Sequence, residues 1–186
     1  MIAIIDFETT GLLDDKSNDF MRQPGITQIG LVCLDPKTLR ETASFSTLVN
    51  PELAAFAWSK EAIAVTGIGP EQVKGSPSLL GVFGEFAGRV VGATVWSGYN
   101  IKFDMGVLWF NLLRYGLERN FPWPPVSRDI MHEAGSHLAK AGKRGQKRWK
   151  LGDAYQEILG KPMPQAHNAL ADCRGVADIM RALEKA

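Results

Sequence analysis

Met1-Ile2-Ala3-Ile4-Ile5-Asp6-Phe7-Glu8-Thr9-Thr10-Gly11 opens the chain, and its reading decides the rest. The apolar run from Met1 to Phe7 is too short for a helix of its own and is rich in isoleucine. A strand buried on both faces is expected. Thr9-Thr10-Gly11 breaks it. Side chains alternate along a strand, so Asp6 and Glu8 leave by the same face, shared with Ile2 and Ile4. Two carboxylates aimed at one spot repel, and one takes up a proton unless a cation neutralises them. The plainer reading is two exposed acids at a strand end. The isoleucines on the same face argue for burial instead.

Outward from this strand, the polar stretch Asp14 to Asp19 suggests a hairpin loop, and Pro24-Gly25 a turn. Ile26 to Leu34 and Ala43 to Val49 are expected as the second and third strands, antiparallel because the connections are short. Ser59 to Val65 suits a helix capped by Ser59, with Glu61 in its first turn. Gly67, Gly69 and Pro70 end it. Ser78 to Gly88 has helical spacing, and Ala93 to Ser97 is a fourth strand closed by Gly98. Lys102 to Gly116 is a patterned helix, and Pro122, Pro124 and Pro125 form a stiff connection. Helices are expected over Asp129 to Ala141, Leu151 to Leu159 and Asn168 to Lys185. Without repeats or an interdomain linker, residues 1–186 are expected to form one domain. Strands first, then strand and helix in alternation, argue a mixed α/β domain with helices on a central sheet.

The bulk composition agrees. The 186 residues suit one compact core, and 45% apolar with 22% charged residues is ordinary for a globular chain. No apolar run is long enough to span a membrane, and the first residues do not resemble a signal peptide. Cys33 and Cys173, the only cysteines, sit in apolar contexts, so a reduced, cytoplasmic protein is expected. Net charge is only +1, but its distribution is uneven. Between Ala134 and Gly152 there is no acid, yet Lys140, Lys143, Arg144, Lys147, Arg148 and Lys150 all fall there, which leaves the remainder net −5. Such a strip suits a phosphate backbone, or is simply a solvated loop.

A second acidic signal lies near the C-terminus. Val176, Ile179, Met180 and Leu183 form an apolar stripe at helical spacing, and Asp172 falls four before Val176 on that stripe. An acid on the core side costs several kcal/mol unless paired or bound to metal. A dipole role in the first turn explains its place along the helix but not its face. His167 stands on the incoming loop, able to turn toward the same site. Asp104 begins the helix after Ser97-Gly98-Tyr99-Asn100, where dipole and metal roles are equally open. Carboxylates with one histidine suit hard cations such as Mg²⁺ or Mn²⁺. Without CxxC or HExxH, and with His132 and His137 about 140° apart on a helix, zinc is disfavoured.

Three segments then resemble one known family. Asp6-Phe7-Glu8-Thr9-Thr10-Gly11 is similar to the first motif of the DEDDh (DnaQ-like) 3′→5′ exonucleases. Tyr99-Asn100-Ile101-Lys102-Phe103-Asp104 resembles the second, and His167-Asn168-Ala169-Leu170-Ala171-Asp172 the third. Val65-Thr66-Gly67-Ile68 followed by Glu71 resembles the family's helix-ending segment. Order and spacing agree from Ile2 to Leu183. Tyr99 departs from the family's frequent histidine, and Gln28 from its frequent glutamate in the second strand. The loop from Leu13 to Gln23 is longer than in compact members.

The resemblance implies a ribonuclease H-like fold, with a mixed five-stranded central sheet flanked by helices. It implies 3′→5′ exonucleolytic hydrolysis with two Mg²⁺ ions, Mn²⁺ able to substitute, releasing 5′-mononucleotides from DNA or RNA. Asp6 would bridge the metals, Glu8 and Asp172 complete one site, and Asp104 support the other. His167 would be the base. The terminal nucleotide would sit over Thr9, Thr10 and Gly11 with Asn100 nearby, and Leu12 would either wedge beside its base or belong to the core. Lys143, Arg144, Lys147 and Arg148 would bind upstream phosphates, with Trp149 either stacking on a base or closing the core. The partner expected is single-stranded nucleic acid or the 3′ end of a duplex. A homodimer is compatible but not demanded, and no segment marks a polymerase partner. A ribonuclease H-type endonuclease and a non-catalytic binding module are the alternatives. The histidine before the last acid argues against the first, and the intact acids against the second.

Overall fold

The computed structural model describes residues 1–186 apart from 15, 18, 54–56, 144–147 and 186. Its strands are β1 (Ile2–Thr9), β2 (Ile26–Leu34), β3 (Glu41–Leu48), β4 (Val95–Gly98) and β5 (Val126–Asp129). They form one mixed sheet in the order β3-β2-β1-β4-β5. β1, β2 and β3 pair antiparallel, while β4 and β5 run parallel to β1. The helices are α1 (Lys60–Thr66), α2 (Pro70–Val73), α3 (Leu79–Val90), α4 (Ile101–Leu113), α5 (Ile130–Lys140), α6 (Leu151–Leu159) and α7 (Ala169–Leu183). Among the described residues no helix is long and apolar enough to cross a membrane.

The composition of β1 explains its central place. Ala3, Ile5 and Phe7 point into a core with Val82 and Phe86 of α3 and Leu108 of α4. Ile2 and Ile4 point the other way, into a core with Ile130 of α5, Tyr155 of α6 and Val176 of α7. A strand apolar on both sides is stable only between two helical layers, and each large side chain it buries contributes about 1.5–3 kcal/mol. Asp6 and Glu8 continue the Ile2–Ile4 face, so β1 delivers both acids beneath α7. Cys33 and Cys173 are buried free thiols in separate cores.

Several boundaries differ from expectation. β5 follows the stiff connection of Pro122, Pro124 and Pro125, where no strand is expected, and takes Asp129 from the start of the expected helix. It is short and polar, and it exists because its backbone completes β4 in the register Val95↔Val126 to Gly98↔Asp129. Arg128 is pinned there by Glu133 at 2.7 Å and Glu184 at 3.3 Å. The proline-rich lead-in is itself anchored: Phe121 and Trp123 both pack against Trp96. Pro70 starts α2 instead of only ending α1, the N1 placement that proline tolerates best. The segment after Leu13 is tied down by polar groups. The Gln23 amide donates to the carbonyls of Asp14 (3.1 Å) and Ser17 (2.7 Å). Arg114 donates to the carbonyls of Phe20 and Gln23.

How α7 meets the sheet matters most for the site. On β2, a Cβ at Gly30 would lie 2.3 Å from the Ala169 carbonyl, far inside contact distance. The missing side chain is what lets the helix start rest directly on the strand. Gly30→Ala should lift α7 and cost about 1–3 kcal/mol as an overpacking change. Urea denaturation measures it, and an unchanged midpoint would remove Gly30 from this role.

Candidate active site

The end of β1 is wired to its surroundings. β4 pairs with β1 only as far as Ile4↔Ser97. Beyond that point the Phe7 N–H donates to Asp104 Oδ1 at 3.0 Å, so an acid from the first turn of α4 takes the place of a strand partner. The Thr10 N–H donates to the Gly25 carbonyl at 2.9 Å, and its Oγ1 accepts from the Gly25 N–H at 3.0 Å. The Ser59 N–H donates to the Thr10 carbonyl at 2.7 Å, and the Thr9 hydroxyl to the Gly11 carbonyl at 2.6 Å. Thr9-Thr10-Gly11 is therefore a fixed turn between β2 and α1.

Across it, Asn168 caps α7 by accepting from the Ala171 N–H at 3.2 Å, and Asp172 projects from the first turn. One carboxylate oxygen each from Asp6, Glu8 and Asp172 lies within 4.8 Å of the others. Asp104 is buried beside them, though it is not one of that close trio. Burial raises Asp6 well above the ordinary carboxylate range, and Asp104, Asp172 and Glu8 raise it further. Burial and Asp172 push Glu8 up to about 7. Burial pushes Asp172 up to about 6 against the opposing pull of His167. Burial likewise raises Asp104, although the Phe7 N–H favours its charged form. Asp172 Oδ1 is buried without a hydrogen-bond partner. An orphaned hard oxygen among crowded acids fits a divalent cation with oxygen ligands.

Two grooves meet this cluster. Glu8 also lines a cleft of about 500 Å³ with Thr9, Gly11, Leu12, Val65 and Phe103. Leu12 is 84% exposed, so it is not a core residue. Val65 of α1 and Phe103 of α4 belong to the motif segments quoted above, where local sequence does not mark them as walls of a cleft. The signal available was α1 itself, which carries apolar side chains yet buries none completely. On the other side Asp172 shares a groove of about 220 Å³ with His167, Lys150 and Asp153. His167 is exposed, in the left-handed region at φ 66°, and stands at the mouth of that groove.

The remaining expected residues divide. Asn100 starts α4 at φ 70°, held by its N–H to Asp129 Oδ1 at 3.0 Å, and its side chain makes no capping bond. Tyr99 donates to the Trp149 carbonyl at 2.8 Å, and Trp149 is half-buried on the α5–α7 core, which favours the core-closing reading over a stacking platform. Lys143 is engaged by Glu157 at 3.0 Å, Arg148 and Lys150 are exposed, and Arg144 and Lys147 lie outside the described residues. Gln28, which stands where the resembled family often has glutamate, accepts from the Ala169 N–H at 3.0 Å.

A mixed sheet of this order flanked by helices, with acids gathered at the end of its central strand, has the ribonuclease H-like architecture. The chain belongs to the exonuclease family: the RNase_T model, described as an exonuclease, matches residues 3–180. Exonuclease CP81 of Escherichia phage 186, described as uncharacterised, is 30% identical over 190 residues, which cover 97% of this chain and 87% of the relative. Exonuclease X in complex with 5′-overhanging duplex DNA superposes with a TM-score of 0.66 at 23% identity, covering 100% of this chain and 92% of that one. The nuclease domain of 3′hExo, a DEDDh member bound to rAMP, superposes with a TM-score of 0.70 at 22% identity, covering 99% and 92%. These structural likenesses establish the shared fold, and the DEDDh resemblance seen in the three motifs agrees with them.

The acid pKa values make the cation-free protein pH-sensitive. An unfolded glutamate ionises near 4.5, whereas folded Glu8 keeps its proton to about 7. Between those values the folded state binds more protons, so this stabilisation is complete below the lower value and is lost as pH rises through the upper one. Asp172 acts in the same direction from 3.8 to about 6. In chelator, urea denaturation should show the protein less stable at about pH 8 than at about pH 5, with Glu8 alone contributing on the order of 3 kcal/mol. A divalent cation should restore more stability at the higher pH. Equal stability at both would contradict the crowding of acids.

Proposed function

We propose that the chain is a metal-dependent 3′→5′ exonuclease that hydrolyses the last phosphodiester of a DNA or RNA strand and releases a 5′-mononucleotide. The observation that carries this reading is the Asp6–Glu8–Asp172 trio within 4.8 Å, one member of which, Glu8, also lines a cleft with apolar walls. About 500 Å³ is within the range of small-ligand sites and is room for one terminal nucleotide. The neighbours supply precedent: one was solved with duplex DNA and one with rAMP.

Asp6, Glu8 and Asp172 would hold Mg²⁺ or Mn²⁺, with Asp104 supporting a second ion. Such ions, when bound, activate water and neutralise charge on the phosphate and the leaving oxygen. The chain's own groups do the rest. Leu12, Val65 and Phe103 take the face of the terminal base, and Thr9 with the turn to Gly11 holds the sugar end against Glu8. Asn100, whose side chain makes no capping bond, contacts the terminal nucleotide. His167 accepts a proton from the attacking water, since imidazole exchanges protons near neutral pH and its groove adjoins Asp172. Lys150 and Arg148 meet phosphates upstream. Lys150 is the basic residue in the His167 groove.

A 5′-labelled strand with Mg²⁺ should give a ladder shortening from the 3′ end, while a circular strand should survive. His167→Ala should keep fold and cation binding and lose about 10²–10⁴-fold in turnover. Asp6→Asn should abolish hydrolysis. Internal cuts in the circle, or undiminished turnover in His167→Ala, would overturn direction and base respectively.

A further inference from the structure

The first N–H groups of a helix have no partner within it. In α7, Asn168 takes that of Ala171, and the N–H of Ala169 is taken by a residue 141 positions away: Gln28 Oε1 accepts it at 3.0 Å in a buried bond. The register of the sheet gives this bond its meaning. Gln28 is the cross-strand partner of Glu8, and Gly30 that of Asp6. Both β2 positions face α7, one offering an amide oxygen and the other no side chain at all. The helix start is thus fixed at two points, on the same two rungs that carry the β1 acids. Asp172 sits three residues beyond the anchored N–H and His167 two before it.

We propose that Gln28 is a positioning residue for the reaction: by fixing the start of α7 it places Asp172 and His167 over Asp6 and Glu8. The inference rests on the nuclease reading of the site. Asp172 closes the carboxylate trio only from α7, so any drift of that helix along or away from β2 opens the cation cage.

The alternative is a plain structural bond, which would change stability and nothing else. Gln28→Met keeps volume and removes the acceptor, while Gln28→Glu keeps the acceptor and adds charge. Mn²⁺ binding to the nucleic-acid-free protein, measured by calorimetry, and kcat and KM on a single-stranded oligonucleotide distinguish the two. The Met variant should bind Mn²⁺ about tenfold or more weakly and lose kcat by a similar factor, with KM little changed, as outer partners of metal ligands do. The Glu variant should recover Mn²⁺ binding and most of kcat. Should the Met variant not fold, Gln28→Asn, which withdraws the amide by one methylene, takes its place. A folded acceptor-free variant with wild-type Mn²⁺ affinity and kcat overturns the inference, as does a Glu variant as impaired as Met. If wild-type protein itself neither binds Mn²⁺ nor cleaves, the site reading fails. If it does both, only the role of Gln28 is at stake.

Discussion

Mutual repulsion among Asp6, Glu8, Asp104 and Asp172 is the constraint around which the molecule is arranged. Unit charges about 4 Å apart repel by about 4 kcal/mol at the effective dielectric of a protein surface, and burial adds the cost of lost hydration. Among the described residues, no lysine or arginine forms an ion pair with any of the four. The protein instead holds the acids by backbone geometry that cannot relax. β1 is locked between two strands, Asp104 is tied to the Phe7 N–H, and α7 rests on β2 through Gly30. A divalent cation would relieve the strain, so an arrangement unfavourable in the bare protein would favour metal binding.

The surroundings of the cluster are asymmetric. On one side the cleft between β1, α1 and α4 presents Leu12, Val65 and Phe103 to solvent, a surface suited to the face of a base. On the other side a smaller groove sets the ionisable groups of Lys150, Asp153 and His167 among apolar neighbours, Leu151 and Met163. The cleft thus offers surface for a base, and the groove offers groups that can carry a proton or meet a phosphate. The basic strip contributes less freely than its composition suggests, because Lys143 is already paired with Glu157.

The scaffold distributes its rigidity accordingly. Aromatic packing of Phe86, Trp96, Phe121 and Trp123 fixes β4 and the lead-in to β5. The turn after β1 and the segment beyond it are held by hydrogen bonds instead, through Thr10, Gln23 and Arg114. Segments held by directional bonds keep exposed side chains such as Leu12 at a defined position without burying them.

Much of this is written in local sequence. The apolar run of β1 with its parity, the stripe of α7 and the caps Ser59 and Asn168 depend on neighbours within a turn or a rung, and they determined the central strand, most helix boundaries and the face on which Asp6, Glu8 and Asp172 appear. The three motifs in order named the acids. Tertiary structure decided the rest. β5 has too few apolar residues to announce itself and forms only because β4 offers it hydrogen bonds. The walls supplied by Val65 and Phe103, the pairing that engages Lys143, the half-burial of Trp149 and the task of Gln28 all join residues distant in the chain. Periodicity reports which way a side chain points, but what it meets there depends on register and helix placement, which are fixed only when the two cores close on the sheet.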